Sequence, residues 1–322
     1  MLPPHLHLIW LGGVPPNTEE LPYRYRLMEW RKHNPTWSIS LWNDSQARER
    51  EQLLLWCNEH GITLQAVQEM VNWGGEKKFF DEECAERFYV TASDMLRLRV
   101  LYQCGGFYVD FDVMPLALPM GALPLGIAML LQNWDGRLAS ISPHAIASYA
   151  GHPLLQMALW EAEFNFQLLE KYPDQDYRKH EDPSYRYGSA LALTGDLLRP
   201  ALALCGGVLP QQGYPWTPWF DVMQMAIKVQ HLEDNSWLAG ERPSERIYPQ
   251  KFMAAKAARL AWQRQRSVTS ILHIAAAFGS AELIEYASSY IPPFEDYFGH
   301  TPRGIAQRYQ RGPKIMKLIP DL

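Results

Sequence analysis

The stretch Ala92-Ser93-Asp94-Met95-Leu96-Arg97-Leu98-Arg99-Val100-Leu101-Tyr102-Gln103-Cys104-Gly105-Gly106-Phe107-Tyr108-Val109-Asp110-Phe111-Asp112 decides how this chain folds. Met95, Leu98, Leu101 and Tyr102 recur at helical spacing and Gly105-Gly106 supplies a stop, so a helix is predicted from Thr91 to Cys104. Thr91 followed three residues later by Asp94 predicts a capping-box start. Phe107-Tyr108-Val109 then predicts a short buried strand that delivers Asp110 and Asp112 at its carboxyl end, where open α/β sheets bind their ligands. Acids at i and i+2 of a strand end face the same side, so both can address one divalent cation or its waters. A bare D-x-D is common by chance, as two solvated loop acids, so its setting carries the weight.

Upstream, His5-Leu6-His7-Leu8-Ile9-Trp10-Leu11 is a short apolar run that stops at Gly12-Gly13 and Pro15-Pro16, the pattern of a buried first strand. Residues 18–34 predict a helix, Ser38 to Trp42 a second strand, and Asn43-Asp44-Ser45 a cap on a helix over 45–60. Alternating strand and helix signals favour an α/β domain with a mixed, mostly parallel sheet flanked by helices. Downstream, 115–126 is a Pro/Leu/Gly loop, 127–150 is rich in strand signals, and 151–172 predicts an amphipathic helix entered through Gly151-His152-Pro153. Residues 173–187 read as an exposed loop, 188–204 as one helix, 221–231 as a strand, and 251–266 as a helical linker.

The tail has a different pattern. Ser270-Ile271-Leu272-His273-Ile274-Ala275 and Thr301-Pro302-Arg303-Gly304-Ile305-Ala306 share the T-P-L-H-x-A frame of ankyrin repeats, 31 positions apart. So short an array cannot bury a core alone, so a small all-α cap is expected to dock on the larger domain. The chain thus divides into a domain over 1–265 and an ankyrin-like tail over 266–322.

Composition excludes several classes. The 322 residues are 47% hydrophobic and 20% charged, ordinary for a globular protein with one large core. A net charge of −5 argues against a nucleic-acid partner, which needs a strongly basic face. No segment approaches the roughly 20 apolar residues that span a bilayer. Cys57, Cys84, Cys104 and Cys205 form no CxxC pair, which argues for reduced thiols. The opening MLPPHLHLIWLGGVPP lacks a basic n-region, so the expected location is the cytoplasm, or a host cell reached without a cleaved signal peptide.

Taken whole, the string from Ala92 to Asp112 closely resembles the sugar-binding DXD region, SDxxRxxxLxxxGGxYxDxD, of two related GT-A glycosyltransferase families. One comprises the fungal initiating α-1,6-mannosyltransferases and their bacterial relatives; the other comprises the large clostridial glucosylating toxins. The resemblance implies a Rossmann-like GT-A fold and transfer of a hexose from a nucleotide-sugar donor to a protein or glycan acceptor. A UDP-sugar is the favoured donor and GDP-mannose the second. In such a reaction a divalent ion, Mn²⁺ or Mg²⁺, neutralises the departing diphosphate.

Matched position by position, the resemblance makes Asp110, Asp112 and Arg97 the catalytic set. Asp94 and Arg97 resemble the pair that holds donor hydroxyls and the diphosphate, and Tyr108 a tyrosine that touches the donor. Asp110 resembles the acid that contacts ribose, sugar and metal-bound water, and Asp112 the direct metal ligand. Ile9-Trp10-Leu11-Gly12-Gly13 resembles the families' first strand, whose tryptophan stacks on the nucleobase. His231-Leu232-Glu233-Asp234-Asn235-Ser236-Trp237 resembles a late segment that closes the metal site, with His231, Asn235 or Ser236 as further ligands and Trp237 on the phosphates. Thr194-Gly195-Asp196 resembles a further position at which Asp196 replaces the usual proline. Both families retain anomeric configuration, which implies a front-face route in which the departing phosphate helps to deprotonate the acceptor.

Two other classes compete. A haloacid-dehalogenase-like phosphatase would use Asp110 as nucleophile, but that fold places its motif at the first strand, and here more than a hundred residues precede it. A non-catalytic ankyrin-type binding protein would have no need to keep both acids together with Arg97 and Trp10.

Overall fold

β1 (His5–Trp10) is the apolar run expected, and it is buried because it lies in the middle of a sheet with neighbours on both sides. The computed structural model describes residues 2–44, 47–195, 197–205, 214–215, 218–230, 232, 250–265, 269–289, 291–296 and 298–321. After β1 come α1 (Tyr23–His33), β2 (Ser38–Asn43), α2 (Ala47–Glu59), β3 (Thr63–Ala66), α3 (Glu76–Ala85), α4 (Tyr89–Cys104) and β4 (Gly106–Val109). The chain continues through β5 (Ile127–Trp134), β6 (Arg137–Ser148), α5 (Pro153–Lys171), α6 (Pro183–Leu193), α7 (Leu198–Cys205), β7 (Tyr214–Pro215), α8 (Pro218–Met223) and α9 (Gln250–Gln265). The tail holds α10 (Ile271–Phe278), α11 (Ala281–Ser288), α12 (Pro302–Arg308) and α13 (Pro313–Met316).

The strand order is β3-β2-β1-β4-β6-β5, with β7 on β6. β3, β2, β1 and β4 run parallel, whereas β6 runs antiparallel to both β4 and β5. This is the mixed α/β sheet flanked by helices that the sequence predicts. Alternation of side chains sorts the core into two layers. Leu6, Leu8, Phe107 and Val109 face the layer that holds Tyr23, Leu27 and Trp30 of α1. Ile9 and Tyr108 face the opposite layer, built on Met95, Leu98 and Leu101 of α4 and on Leu154 and Leu155 of α5.

Gly105-Gly106 ends α4 and starts β4 with almost no connecting chain. Their φ angles of +63° and +100° need glycine, and a Cβ on Gly106 would come within 2.4 Å of the His5 carbonyl. Buried His7 braces the same corner. Trp42 Nε1–H donates to its Nδ1 at 3.2 Å, so its other nitrogen carries the proton and donates to the Gly105 carbonyl at 2.9 Å. Burial holds this imidazole neutral, with a pKa lowered to about 3.

Four local expectations need correction. α4 starts at Tyr89, and its N-cap position, Phe88, gives no side-chain cap. Thr91 instead donates to Glu83 and Asp94 pairs with Arg97, so tertiary partners have taken both supposed capping groups. The single helix over 188–204 is two, α6 and α7, interrupted at Thr194-Gly195. The strand expected over 221–231 is absent among its described residues: α8 runs to Met223, and Gln224 makes an isolated bridge to Met129. The loop over 173–187 is not wholly exposed, because Tyr177 is fully buried and donates to Glu83 at 2.6 Å.

The tail docks where β6 ends. His152 caps α5 by accepting from Leu154 N at 3.1 Å and donates to the Leu125 carbonyl at 2.8 Å. Phe278 of α10 stacks on this imidazole with ring centres 4.9 Å apart, and the Tyr309 hydroxyl donates to the Gly151 carbonyl at 2.9 Å. Within the tail, Ser270 and His273 bond reciprocally as a capping box, and His273 reaches the carbonyls of Phe294 and His300. Ile271, Leu272, Ile274 and Ala275 join the same buried cluster as α4 and α5. All four cysteines are free, and no described helix is long and apolar enough to cross a membrane.

Candidate functional site

The carboxyl end of β4 collects the charged side chains. Asp110 follows the last strand residue, and its N–H extends the ladder to the His144 carbonyl of β6 at 2.9 Å. The chain then turns: Val113 N–H returns to the Asp110 carbonyl at 3.2 Å. Asp110 and Asp112 therefore flank a turn and do not continue the strand, so strand alternation is not what sets their relation. The turn forms because Phe111 folds back into an apolar cluster, with its ring 5.5 Å from both Trp10 and Tyr23. Arg26 of α1 fixes it by donating to the Phe111 carbonyl at 3.1 Å.

Arg97 is the hub. It is only 5% exposed, and a buried guanidinium persists only with partners on all sides. Nη2 lies 2.9 Å from Asp94, Nη1 lies 3.2 Å from Asp110, and Nη1 also donates to the Pro143 carbonyl at 2.7 Å. The guanidinium stands 4.7 Å over the Tyr108 ring, a cation–π contact in a desolvated setting. Burial works against its charge, yet Asp110, Tyr108 and Asp94 together raise its pKa.

Asp110 is held equally firmly. Its oxygens receive Arg97, the Tyr108 hydroxyl, and His144 Nδ1 at 3.0 Å. Burial alone would raise its pKa, but Arg97 and then His144 and Tyr108 outweigh it and hold the carboxyl at about 2. Asp94, also buried, has its pKa raised by desolvation, opposed by Arg97 and by the Thr194 hydroxyl at 3.0 Å. Asp112, half-buried, accepts a bond at its carbonyl from Leu232 N–H at 2.7 Å, and Met114 N–H donates to the Gln230 carbonyl at 2.9 Å. The segment flanking His231 thus runs beside Asp112.

A second feature lies at the end of β1. Asn43 Nδ2 donates to the carbonyls of Trp10 and Gly13 at 2.8 and 2.7 Å, and Asp44 accepts from Gly12 N–H at 2.8 Å. These residues hold the glycine loop beside half-buried Trp10, whose ring lies 5.0 Å from Tyr23.

Of the residues singled out from sequence, Trp10, Asp94, Arg97, Tyr108, Asp110 and Asp112 cluster at one end of the sheet. His231, Asn235, Ser236, Trp237 and Asp196 lie outside the described residues. Among the described residues no three His, Cys, Asp or Glu side chains group closely enough to hold a metal by themselves. Sequence reading missed Arg26 and His144, which carry no local pattern, and named Thr194 only within Thr194-Gly195-Asp196, without its contact to Asp94. It took Asn43 and Asp44 for a helix cap, although an Asn-Asp pair after a strand also suits a loop clamp.

Residues 23–126 match the family described as "Glycosyltransferase sugar-binding region containing DXD motif". The chain is 25% identical over 201 residues to "Subversion of eukaryotic traffic protein A" of Legionella pneumophila, covering 59% of this chain and 30% of that protein. The chain thus spans about a third of the length of that curated relative. Among solved structures, the PaToxG glycosyltransferase is 22% identical, with a TM-score of 0.50 over 63% of this chain and 69% of that one; the fold is shared. The UDP-bound glycosyltransferase domain of the YGT toxin is 12% identical, with a TM-score of 0.44 over 100% and 99% of the two chains.

Proposed function

We propose that this chain, whose residues 23–126 match the DXD-containing glycosyltransferase sugar-binding region, is a metal-dependent retaining glycosyltransferase. It moves a hexose from a nucleotide sugar, a UDP-sugar first and GDP-mannose second, to a protein or glycan acceptor. One observation carries this reading: a buried Arg97 is fixed between Asp94 and Asp110 at a strand end, with Asp112 two residues further on. Such a fixed, desolvated cation is prepared for negative charge that develops on a departing diphosphate.

The donor set suits a hard divalent ion. The resemblance assigns direct ligation to Asp112, and donor phosphates with His231, Asn235 or Ser236 would complete the shell. When bound, Mn²⁺ or Mg²⁺ supplies Lewis-acid stabilisation of the leaving group. The residues of the chain do the rest. Trp10 offers an aromatic face to the base, Tyr108 and His144 fix Asp110 for the ribose and hexose, and Arg97 faces the diphosphate.

Retention by a front-face route needs no additional nucleophile, and the resemblance to retaining families supports it. The likeness to a traffic-subverting protein supports delivery into a host cell and a protein acceptor. The tail acts as an ankyrin-type cap on the catalytic domain.

A thermal-shift panel of UDP-glucose, UDP-N-acetylglucosamine, UDP-galactose and GDP-mannose, with and without Mn²⁺, tests donor and metal together. The true donor at 100 times its dissociation constant stabilises by about 2.7 kcal/mol. No metal-dependent shift with any of the four would remove this function. Product stereochemistry by NMR tests retention, and an inverted linkage would exclude it.

A further inference from the structure

We infer that Thr194, at the break between α6 and α7, is a positioning residue for the donor site; this rests on the proposed glycosyltransferase function. Its hydroxyl lies 3.0 Å from Asp94 Oδ2 and 3.1 Å from the Ala190 carbonyl. A threonine has one proton to give, and the ionised carboxylate is the stronger acceptor, so Thr194 donates to Asp94. The other Asp94 oxygen meets Arg97 Nη2 at 2.9 Å, and Arg97 Nη1 meets Asp110 at 3.2 Å. One hydroxyl on α6–α7 therefore orients, through Asp94, the guanidinium that faces the diphosphate.

The bond does two things. It favours the charged form of a buried carboxylate, opposing the desolvation that raises its pKa. It also fixes the plane of that carboxylate, since an acid bonded on one oxygen only can rotate about its Cβ–Cγ bond. Among the described residues lining the adjoining cavity, none besides Thr194 carries a hydroxyl. The adjoining cavity is about 10 Å³, at the lower limit for a single water, and is lined mainly by apolar groups including Leu98, Ile141, Ile146 and Leu197. The helix break puts the hydroxyl there: a single straight helix over 188–204 would have no reason to stop with Thr194 against α4.

The test is steady-state hydrolysis of whichever of UDP-glucose, UDP-N-acetylglucosamine, UDP-galactose or GDP-mannose the wild type cleaves with Mn²⁺. Thr194→Val, which keeps the shape, should lower kcat/KM about tenfold or more, and Thr194→Ser should restore it. A double-mutant cycle separates positioning from mere packing: in an Asp94→Asn background, Thr194→Val should cost little further activity. Should Thr194→Val fold poorly, Thr194→Ala takes its place in the cycle with the same expected and overturning results. Wild-type activity in Thr194→Val, or an undiminished Thr194→Val effect in the Asp94→Asn background, would overturn the inference while leaving the transferase function intact. Failure of the wild type to cleave any of the four would overturn both.

Discussion

The two ends of the sheet around β4 are held by different physics. At its carboxyl end, Asp94, Arg97 and Asp110 form a buried ion-pair network that His144 joins through Asp110. At its amino end, the tail closes the sheet with stacked rings, neutral imidazoles and backbone carbonyls, through Phe278, His152, Tyr149 and Tyr309. A buried charge network is costly to assemble and contributes specificity, whereas ring stacking and apolar burial contribute stability directly. The first end is accordingly suited to the specific recognition the proposed function needs, and the second to holding the tail on the sheet.

That contrast breaks most visibly at Arg97. Arg97→Met leaves two buried carboxylates without their cation, and urea unfolding should show a loss of about 3–5 kcal/mol together with loss of activity. A change under about 1 kcal/mol would mean that the network is hydrated and not buried. Phe278→Ala removes a ring that stacks on His152 and Tyr149, and should cost about 3 kcal/mol while leaving kcat of the folded enzyme unchanged. A fall in kcat at equal folded fraction would show that the tail reaches the site.

Acid should separate the two ends. The His152 pKa is lowered to about 4, burial being the cause, so its stabilising contribution is full above the ordinary value of 6.5 and is lost as pH falls towards 4. At pH 5 that loss is about 2 kcal/mol. Asp110, held at about 2, contributes fully above its ordinary 3.8 and loses its contribution only as pH falls through 2. Hydrogen-exchange protection, corrected for the intrinsic slowing of exchange in acid, should therefore fall first around 123–126, 149–154 and α10 between pH 6.5 and 4.5, with the Asp110 end still protected. Uniform loosening would contradict the assignment. The smallest effect is at Thr301, whose side chain accepts from Gly304 N–H at 2.9 Å; Thr301→Ala should cost about 1 kcal/mol and no activity.

The sequence legibly encoded what is local or periodic. The apolar run of β1 and the helix–Gly-Gly–strand unit stand where their spacing predicts, whereas the acids that follow flank a turn and do not continue the strand. What it hid depends on long-range pairing. His144 reaches Asp110 only because β6 folds back antiparallel on β4, and nothing in Ser142-Pro143-His144 announces that register. Thr194 meets Asp94 across 100 positions. The apparent capping box at Thr91 and Asp94 misled for the same reason: distant partners, Glu83 and Arg97, competed for both groups and won. The fused helix over 188–204 misled because its apolar residues stay periodic through the break, although Gly195 and Pro200 both hint at it.

The central claim is that this strand end is a donor site for sugar transfer, and release of free hexose from a nucleotide sugar with Mn²⁺ tests it most directly. Wild type should release hexose in a metal-dependent manner, and Asp112→Ala should lose at least about 100-fold. No release by the wild type, or equal release by Asp112→Ala, would contradict it.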